Sequence, residues 1–148
     1  MTVSRAQLRQ KFYALLGALP GWRASLFVPE RFGQDPDSLL RGSKLFAVQV
    51  GTTTDTRSYR GRPAEGLLCE TACTLIWAYS LRPKDQVVSH DEAEAAGQEL
   101  INAAMRYDAT WPGDLSVRLV DVTAEVVQSG EWFVGRASLA VTHTLPLQ

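Results

Sequence analysis

The sequence predicts an α+β fold, with a mainly antiparallel sheet of four to five strands and two helices packed on one face. Two segments repeat their apolar residues at helical intervals, three others alternate apolar and polar residues as strands do, and a fourth is apolar and rich in strand-forming residues. These segments follow the order helix, hairpin, helix, hairpin. The length of 148 residues is that of one ordinary domain, so we expect a single domain over residues 1–148.

The first helix is predicted from Ser4 to Leu19. Ser4 and Gln7 have the spacing of a capping box, in which each side chain bonds to a free N–H group of the first turn. Trp22 to Val28 is predicted as a short strand or an extended segment. Pro29 to Ser43, rich in Pro, Gly, Asp and Ser, is predicted as a surface loop whose role the sequence leaves open.

Two runs in the middle of the chain are predicted to pair as a hairpin. Lys44 to Val50 is apolar and rich in strand-forming residues, and Leu67 to Leu81 alternates over a long span. The connection between them, Gly51 to Gly66, is polar and long enough to project as an arm. The apolar face of the second run consists of Cys69, Cys73, Leu75, Trp77, Tyr79 and Leu81.

A second helix is predicted from Asp91 to about Tyr107, with Ser89 and Glu92 in capping-box spacing at its start. The side chains on its apolar face are small. Gly97 in that face costs about 1 kcal/mol of helix stability relative to alanine. A close approach of the helix to the sheet would compensate for this cost.

The chain is predicted to end in a second hairpin, formed by Leu115 to Val127 and Trp132 to Leu145. Two helices cover one face of the sheet, so the other face needs water or a partner. Ile76, Trp132 and Arg136 are predicted on that outer face as a candidate subunit interface, because large apolar side chains among polar ones suit a protein contact. A plain solvated face is the alternative.

The residues that could carry chemistry form no catalytic or metal-binding motif. Cys69 and Cys73 share a face of one strand about 13 Å apart, too far for a disulfide, and are predicted to be small buried apolar residues. His90 and His143 lie in no motif with a nucleophile or with metal-ligand spacing. We therefore predict no catalytic residue, no cofactor and no metal, and a protein that is not an enzyme.

Charge and hydropathy limit the partners. The formal net charge is -1, so any contact with DNA must be local. No apolar run approaches the roughly 18 residues that span a bilayer. Arg5, Arg9 and Lys11 stand where a signal peptide would be apolar, so we expect a protein of the cytoplasm, or of a particle assembled there, without a membrane partner.

The predicted arm contains the compact basic cluster of the sequence. Arg57, Arg60 and Arg62 lie close together with Tyr59 between them. This composition favours contact with DNA phosphates or with an acidic protein surface. In a ring, several identical arms pointing into one lumen would multiply a small local charge. A solvated loop is the alternative.

The order of elements and three stretches resemble the lambda-like siphophage tail terminator family. The resemblance covers nearly the whole chain in pattern and spacing. The stretches are Ala47 to Thr52 leading into the arm, Glu70 to Leu81 followed by Arg82-Pro83 and the Ser89 helix, and Gly130-Glu131-Trp132 through Leu139 to Thr142.

The resemblance implies a structural virion protein of the tail and neck region, assembled in the host cytoplasm. Such a protein forms a hexameric ring that caps the tail tube, stops tube polymerisation and presents a joining surface to the head connector, while DNA passes through the lumen. Another neck or tail-completion ring protein is the nearest alternative. A small-ligand-binding α+β module and a small enzyme with scattered site residues are the others.

Overall fold

A computed structural model of the chain describes residues 2–24, 44–55, 66–81, 86–106, 115–127 and 132–146. The five strands form one sheet in the order β1-β2-β3-β5-β4, antiparallel except for the β1–β2 pair. The fold is thus α+β with two helices, as predicted. The elements are α1 (Arg5–Gly17), β1 (Trp22–Ala24), β2 (Lys44–Asp55), β3 (Gly66–Ser80), α2 (Gln86–Met105), β4 (Ser116–Val127) and β5 (Trp132–Pro146).

Helix α1 begins with the predicted capping box. The Ser4 hydroxyl accepts a hydrogen bond from the Gln7 N–H at 3.2 Å, and the Gln7 side chain accepts one from the Ser4 N–H at 2.8 Å. The helix ends at Gly17, two residues before the predicted end. Its buried residues pack against the sheet on the same face as α2, in one core cluster; they are Leu8, Phe12 and Leu16.

The first hairpin forms as predicted, but the prediction that the arm begins at Gly51 was wrong. Strand β2 continues to Asp55, and Thr53, Thr54 and Asp55 pair with β3 after an irregularity in register that follows Val50. The β-branched threonines suit a strand. The predicted arm residues Arg57, Tyr59, Arg60 and Arg62, and the loop over residues 29–43, lie outside the described residues.

Helix α2 begins at Gln86, so the predicted capping box at Ser89 was wrong. Ser89 lies inside the helix and is fully buried. It lies four and seven residues before Ala93 and Ala96, both buried, so it belongs to the small apolar face that turns toward the sheet. A serine at this spacing fits either a cap or a helix face, and the sequence alone favoured the cap.

Two glycines allow α2 to approach the sheet closely. Trp77 of β3 is 1% exposed and lies between Gly97 of α2 and Gly135 of β5. A Cβ atom at either glycine would overlap the indole ring. The predicted compensation for Gly97 is therefore present, since the missing side chain provides the space for the largest residue of the core.

The outer face of the sheet, opposite the helices, carries a second buried apolar cluster. Trp132 and Val134 of β5 contribute to it at 4% and 1% exposure, and Ile76 of β3 at 1%. The same face is polar further along β3 and β5, at Thr74 and Ser138. The outer face is therefore part buried cluster and part polar surface, rather than uniformly mixed. The other members of the cluster are Leu45, Ala47 and Ala78.

Candidate functional site

Strand β4 forms one edge of the sheet as the described residues build it. It pairs with β5 on one side, and no strand among the described residues pairs with its other side. From Ser116 to Val126 every side chain is exposed except that of Val117, which is half-buried. Long apolar edge strands are templates for pairing with another chain.

The apolar residues of β4 lie on the helix-bearing face of the sheet. Leu119, Val122 and Val126 are nevertheless 39%, 44% and 46% exposed. We call these three residues, with Val117 and Ala124, the β4 stripe. Beyond β5 the core includes Leu115 and the half-buried Val117 at the start of β4, and the rest of the stripe continues the core where the described helices leave it exposed. Their partners across the register are Val141, Leu139, Ala137, Gly135 and Phe133 of β5.

The other face of β4 is polar. Glu125 accepts a bond from Arg136 of β5 at 3.3 Å, and Arg118 lies 3.9 Å from Glu70 of β3. Exposed pairs of this kind contribute little to stability, about 0–1 kcal/mol each. A register shift leaves Val120 between the two faces, 53% exposed. The open edge therefore has an apolar side and a charged side.

The three residues predicted as a subunit interface separate into two environments. Ile76 and Trp132 are buried in the outer cluster of the single chain, so little of either side chain remains for a partner to contact. Arg136 is half-buried and paired with Glu125. The contact itself stays a prediction, and the accessible apolar surface lies on β4, which the sequence analysis did not single out.

The opposite edge of the sheet is closed by different means. The described part of β1, Trp22–Ala24, pairs in parallel with the start of β2. Further along β2, the guanidinium of Arg5 donates to the carbonyls of Val50 (3.3 Å) and Gly51 and to the Thr53 hydroxyl (2.6 Å). A side chain from α1 thereby occupies polar groups of β2 that a further strand would otherwise use.

The two halves of the sheet carry opposite charge. Residues 2–24 contain four basic residues and no acidic one, and α1 in this segment contacts β1 and β2. Helix α2 and β4 together contain six acidic residues against one basic residue, Arg118, and α2 contacts β3, β4 and β5. We call these the basic half and the acidic half. The basic residues are Arg5, Arg9, Lys11 and Arg23; the acidic ones are Asp91, Glu92, Glu94, Glu99, Asp121 and Glu125.

One group of reactive side chains comes together inside the core. Nε2 of His143 lies 2.7 Å from the Thr71 hydroxyl and 3.5 Å from Cys69 Sγ, while Nδ1 lies 2.9 Å from the carbonyl oxygen of Val3. His143 and Thr71 are 0% exposed. Sequence reasoning missed this group because Cys69 and His143 are 74 positions apart and no local motif joins them.

The geometry does not favour nucleophilic chemistry in this cluster. Burial raises the pKa of the Cys69 thiol, and burial raises the pKa of Cys73 to about 11, which disfavours the thiolate that acts as nucleophile. Both cysteines are free and buried, as predicted. Within the described ranges, no group of three or more His, Cys, Asp or Glu side chains could hold a metal ion.

A surface depression of about 420 Å³ lies between the end of α1 and α2. Gln98, Glu99 and Asn102 line it, with Arg106, and the other lining residues are apolar: Leu19, Ala95 and Ala103. Ligand pockets usually bury most of the ligand's surface. This depression is wide open to solvent, so it offers little support for a small-ligand module.

No protein-family model matches the chain, and no curated protein matches it. None of the helices in the part of the chain that the structure describes is long and apolar enough to cross a membrane. The geometry of the edges is therefore the main basis for a functional assignment.

Proposed function

We propose that the chain is a structural, non-enzymatic subunit that assembles head to tail with copies of itself into a ring, and that this ring caps a phage tail tube. The open β4 edge carries the assembly part of this proposal. The resemblance of the sequence to the tail terminators supplies the phage part.

The β4 stripe supports assembly because it has the composition of an interface centre. Interfaces combine an apolar core with a polar rim. The stripe is apolar, and charged residues such as Asp121 and Glu125 alternate with it along the same strand. Exposed contiguous apolar surface on a soluble protein commonly marks a binding site, and a second chain is the occupant that would also satisfy the free backbone groups of the edge.

The opposite charges of the two halves support a head-to-tail contact. Identical surfaces meeting face to face would place the acidic half of one copy on the acidic half of another, which electrostatic repulsion opposes. The acidic half of one copy meets no such repulsion from the basic half of the next. Contacts between two different surfaces of one chain generate rings when the rotation closes.

The ring would end tube growth because its outer face does not fit another ring of tail-tube protein. One face of the ring binds the last ring of tail-tube protein, and the other face lacks the surface that a further tube ring needs and is used by the head connector instead. DNA passes through the lumen. The basic residues Arg57, Arg60 and Arg62, with Tyr59, are proposed to face that lumen or a partner protein.

Another neck or tail-completion ring protein is the second candidate. The same open edge and the same separation of charge would serve any ring at this junction. The two candidates differ in what they do to tube length, since only a terminator sets it.

The experiment is to polymerise tail-tube protein with and without the chain and to measure tube lengths by electron microscopy. A terminator gives tubes of restricted length with added density at one end. Rings that bind tube ends without changing length indicate another neck protein. Tubes of unchanged length with bare ends would overturn the proposal, provided that the chain is folded by circular dichroism.

A further inference from the structure

The two helices leave most of β4 uncovered. Packed helices lie about 8–10 Å apart and neighbouring strands about 4.8 Å apart, so one helix covers roughly two strands. Helix α1 contacts β1 and β2, and α2 contacts β3, β5 and β4. Leu119, Val122 and Val126 of the β4 stripe are nevertheless exposed. A further helix would fit over β4 beside α2, and the described part of the chain does not supply one.

One side of α2 forms a wall beside this uncovered strand. His90 lies edge-on to the ring of Phe133, with 5.0 Å between the ring centroids, and Phe133 pairs with Val126 of β4. Val87 and Glu94 lie three residues before and four residues after His90, so they share its side of the helix. Val87 is 77% exposed, and Glu94 is exposed. The apolar surface of the β4 stripe therefore continues onto α2, where it has a carboxylate beside it.

The free side of α1 lies at the opposite end of the helix layer. Arg5, Arg9 and Tyr13 follow one another at intervals of four residues, so they share this side. The Tyr13 hydroxyl accepts a hydrogen bond from the Val48 N–H at 3.1 Å, and Arg5 donates to the Val50 carbonyl at 3.3 Å. The described part of β1 ends before these two residues of β2. This side of α1 therefore faces the edge of β2 and points away from α2.

These bonds decide which contact the basic half can offer to another copy. Side chains of α1 already occupy backbone groups of β2 beyond β1, so β4 of another copy would not find them free for strand pairing. This part of the edge presents the helix instead. The Arg9 guanidinium lies 4.8 Å from the centre of the Tyr13 ring, and Ala6, on the same side, is exposed. Tyr and Arg are enriched among the residues that contribute most to binding at interfaces.

We propose that the free side of α1 in one copy docks over the β4 stripe of the next copy, beside α2, so that the helix layer continues from subunit to subunit. The inference rests on the proposed self-assembly, and it names the element of the partner that covers the stripe. In this contact Tyr13 lies over the apolar stripe, and Arg9 lies on the side of α2 that carries Glu94.

Charge favours α1 over α2 as the helix that docks there. Helix α1 contains three basic residues and no acidic one, whereas α2 contains four acidic residues and no Lys or Arg. A second α2 over the stripe would place its carboxylates near Glu94, which electrostatic repulsion opposes. An α1 helix places a guanidinium there.

The docking is tested by cross-linking cysteines added to chains that are assembled on tail-tube ends. Ala6→Cys marks the free side of α1, and Ala124→Cys marks the β4 stripe. Thr123→Cys is the matched control, because Thr123 is also exposed and lies next to Ala124 on the other face of β4. The native thiols of Cys69 and Cys73 are 2% and 1% exposed, so the chain without added cysteines should not react.

The cross-linker is bismaleimidoethane, and covalent dimers are measured on denaturing gels. Neighbouring side chains of a strand point to opposite faces, so a mixture of Ala6→Cys and Ala124→Cys chains should give roughly tenfold more dimer than a mixture of Ala6→Cys and Thr123→Cys chains. Each variant alone should give little dimer, because a head-to-tail contact does not bring identical positions together.

Equal dimer yields from the two mixtures would overturn the docking, since strand pairing along the edge of β4 brings both of its faces equally close. Rings of wild-type mass without the dimer of Ala6→Cys and Ala124→Cys chains would also overturn it and would leave the assembly proposal standing. A wild-type chain that forms no ring on tail-tube ends would overturn both. If Ala6→Cys does not fold by circular dichroism, Gln10→Cys replaces it, because Gln10 is exposed one turn further along α1.

Discussion

The two edges of the sheet are treated in opposite ways. At one edge, Arg5 of α1 bonds to the carbonyls of Val50 and Gly51 on β2, beyond the described part of β1. At the other edge β4 offers twelve residues with an exposed apolar stripe. Natural proteins blunt edges with short strands and charged side chains. This difference between the edges, among the described residues, supports the proposal that β4 is the edge that pairs with another copy.

The distribution of charge bears on the orientation in which copies would meet if the proposal is right. The protected edge lies in the basic half and the open edge in the acidic half. A chain with two like-charged edges would repel its copies wherever they met. Under the proposal, the opposite charges of the two halves would favour one orientation, which would repeat from copy to copy.

The largest expected effect concerns the core packing of Trp77 against Gly135 of β5, the strand that pairs with β4. Gly135→Ala places a methyl group against the rigid indole of Trp77, and overpacking of this kind costs about 3 kcal/mol of unfolding free energy. Gly97→Ala meets the same ring but gains about 1 kcal/mol of helix propensity, so it should cost less. Urea unfolding compares the two variants. If Gly135→Ala has the unfolding free energy of the wild type, then Trp77 does not pack tightly against β5 at this position.

The next prediction compares the effect on self-association of a charge on the apolar face of β4 with that of a charge on its polar face. Val122→Asp places a charge in the exposed β4 stripe, so we expect about a hundredfold weaker self-association, worth roughly 3 kcal/mol. Stability should change by less than about 0.5 kcal/mol, because the side chain is exposed. Sedimentation velocity measures the association.

Thr123→Asp is the matched control, because Thr123 is exposed and lies next to Val122 on the polar face of β4. Its association should stay within about threefold of wild type. Equal weakening by both substitutions would mean that charge anywhere on β4 is harmful, and that the stripe has no special role.

The smallest expected effect is a change in unfolding free energy when Arg5, which bonds to β2, is replaced. Arg5→Lys keeps the charge but loses the forked geometry that reaches β2, and we expect a loss of about 1 kcal/mol of unfolding free energy. Arg9→Lys on the same helix should change stability by less than about 0.5 kcal/mol, because the Arg9 guanidinium only lies over the Tyr13 ring, 4.8 Å from its centre. Chemical denaturation compares the pair, and an equal loss in both would remove the protective role of Arg5.

The sequence predicted the local features well. Periodicity identified both helices and both hairpins, and the spacing of Ser4 and Gln7 identified the cap of α1. These features depend on neighbours within a few positions. The same local rule misled at Ser89, because a small polar residue fits a helix cap and a helix face equally well.

The features on which the proposed function rests depend on contacts between residues that are far apart in the sequence. Alternation assigned Ile76 and Trp132 to the outer face, but it could not show that this face is buried there. The predicted β4–β5 hairpin could place either strand next to β3, so it did not show that β5 lies inside the sheet and β4 at its edge. The meeting of Cys69 and His143 likewise depends on the register of β3 with β5.

Mass by light scattering on two charge-reversed variants tests the central claim most directly. One variant reverses the acidic half (Glu94→Lys with Asp121→Lys), and the other reverses the basic half (Arg9→Glu with Arg23→Glu). With tail-tube ends present as template, each variant alone should remain monomeric, and an equimolar mixture should recover the ring mass of the wild type. A mixture that stays monomeric while the wild type assembles, or variants that each assemble alone, would contradict head-to-tail pairing of the two halves.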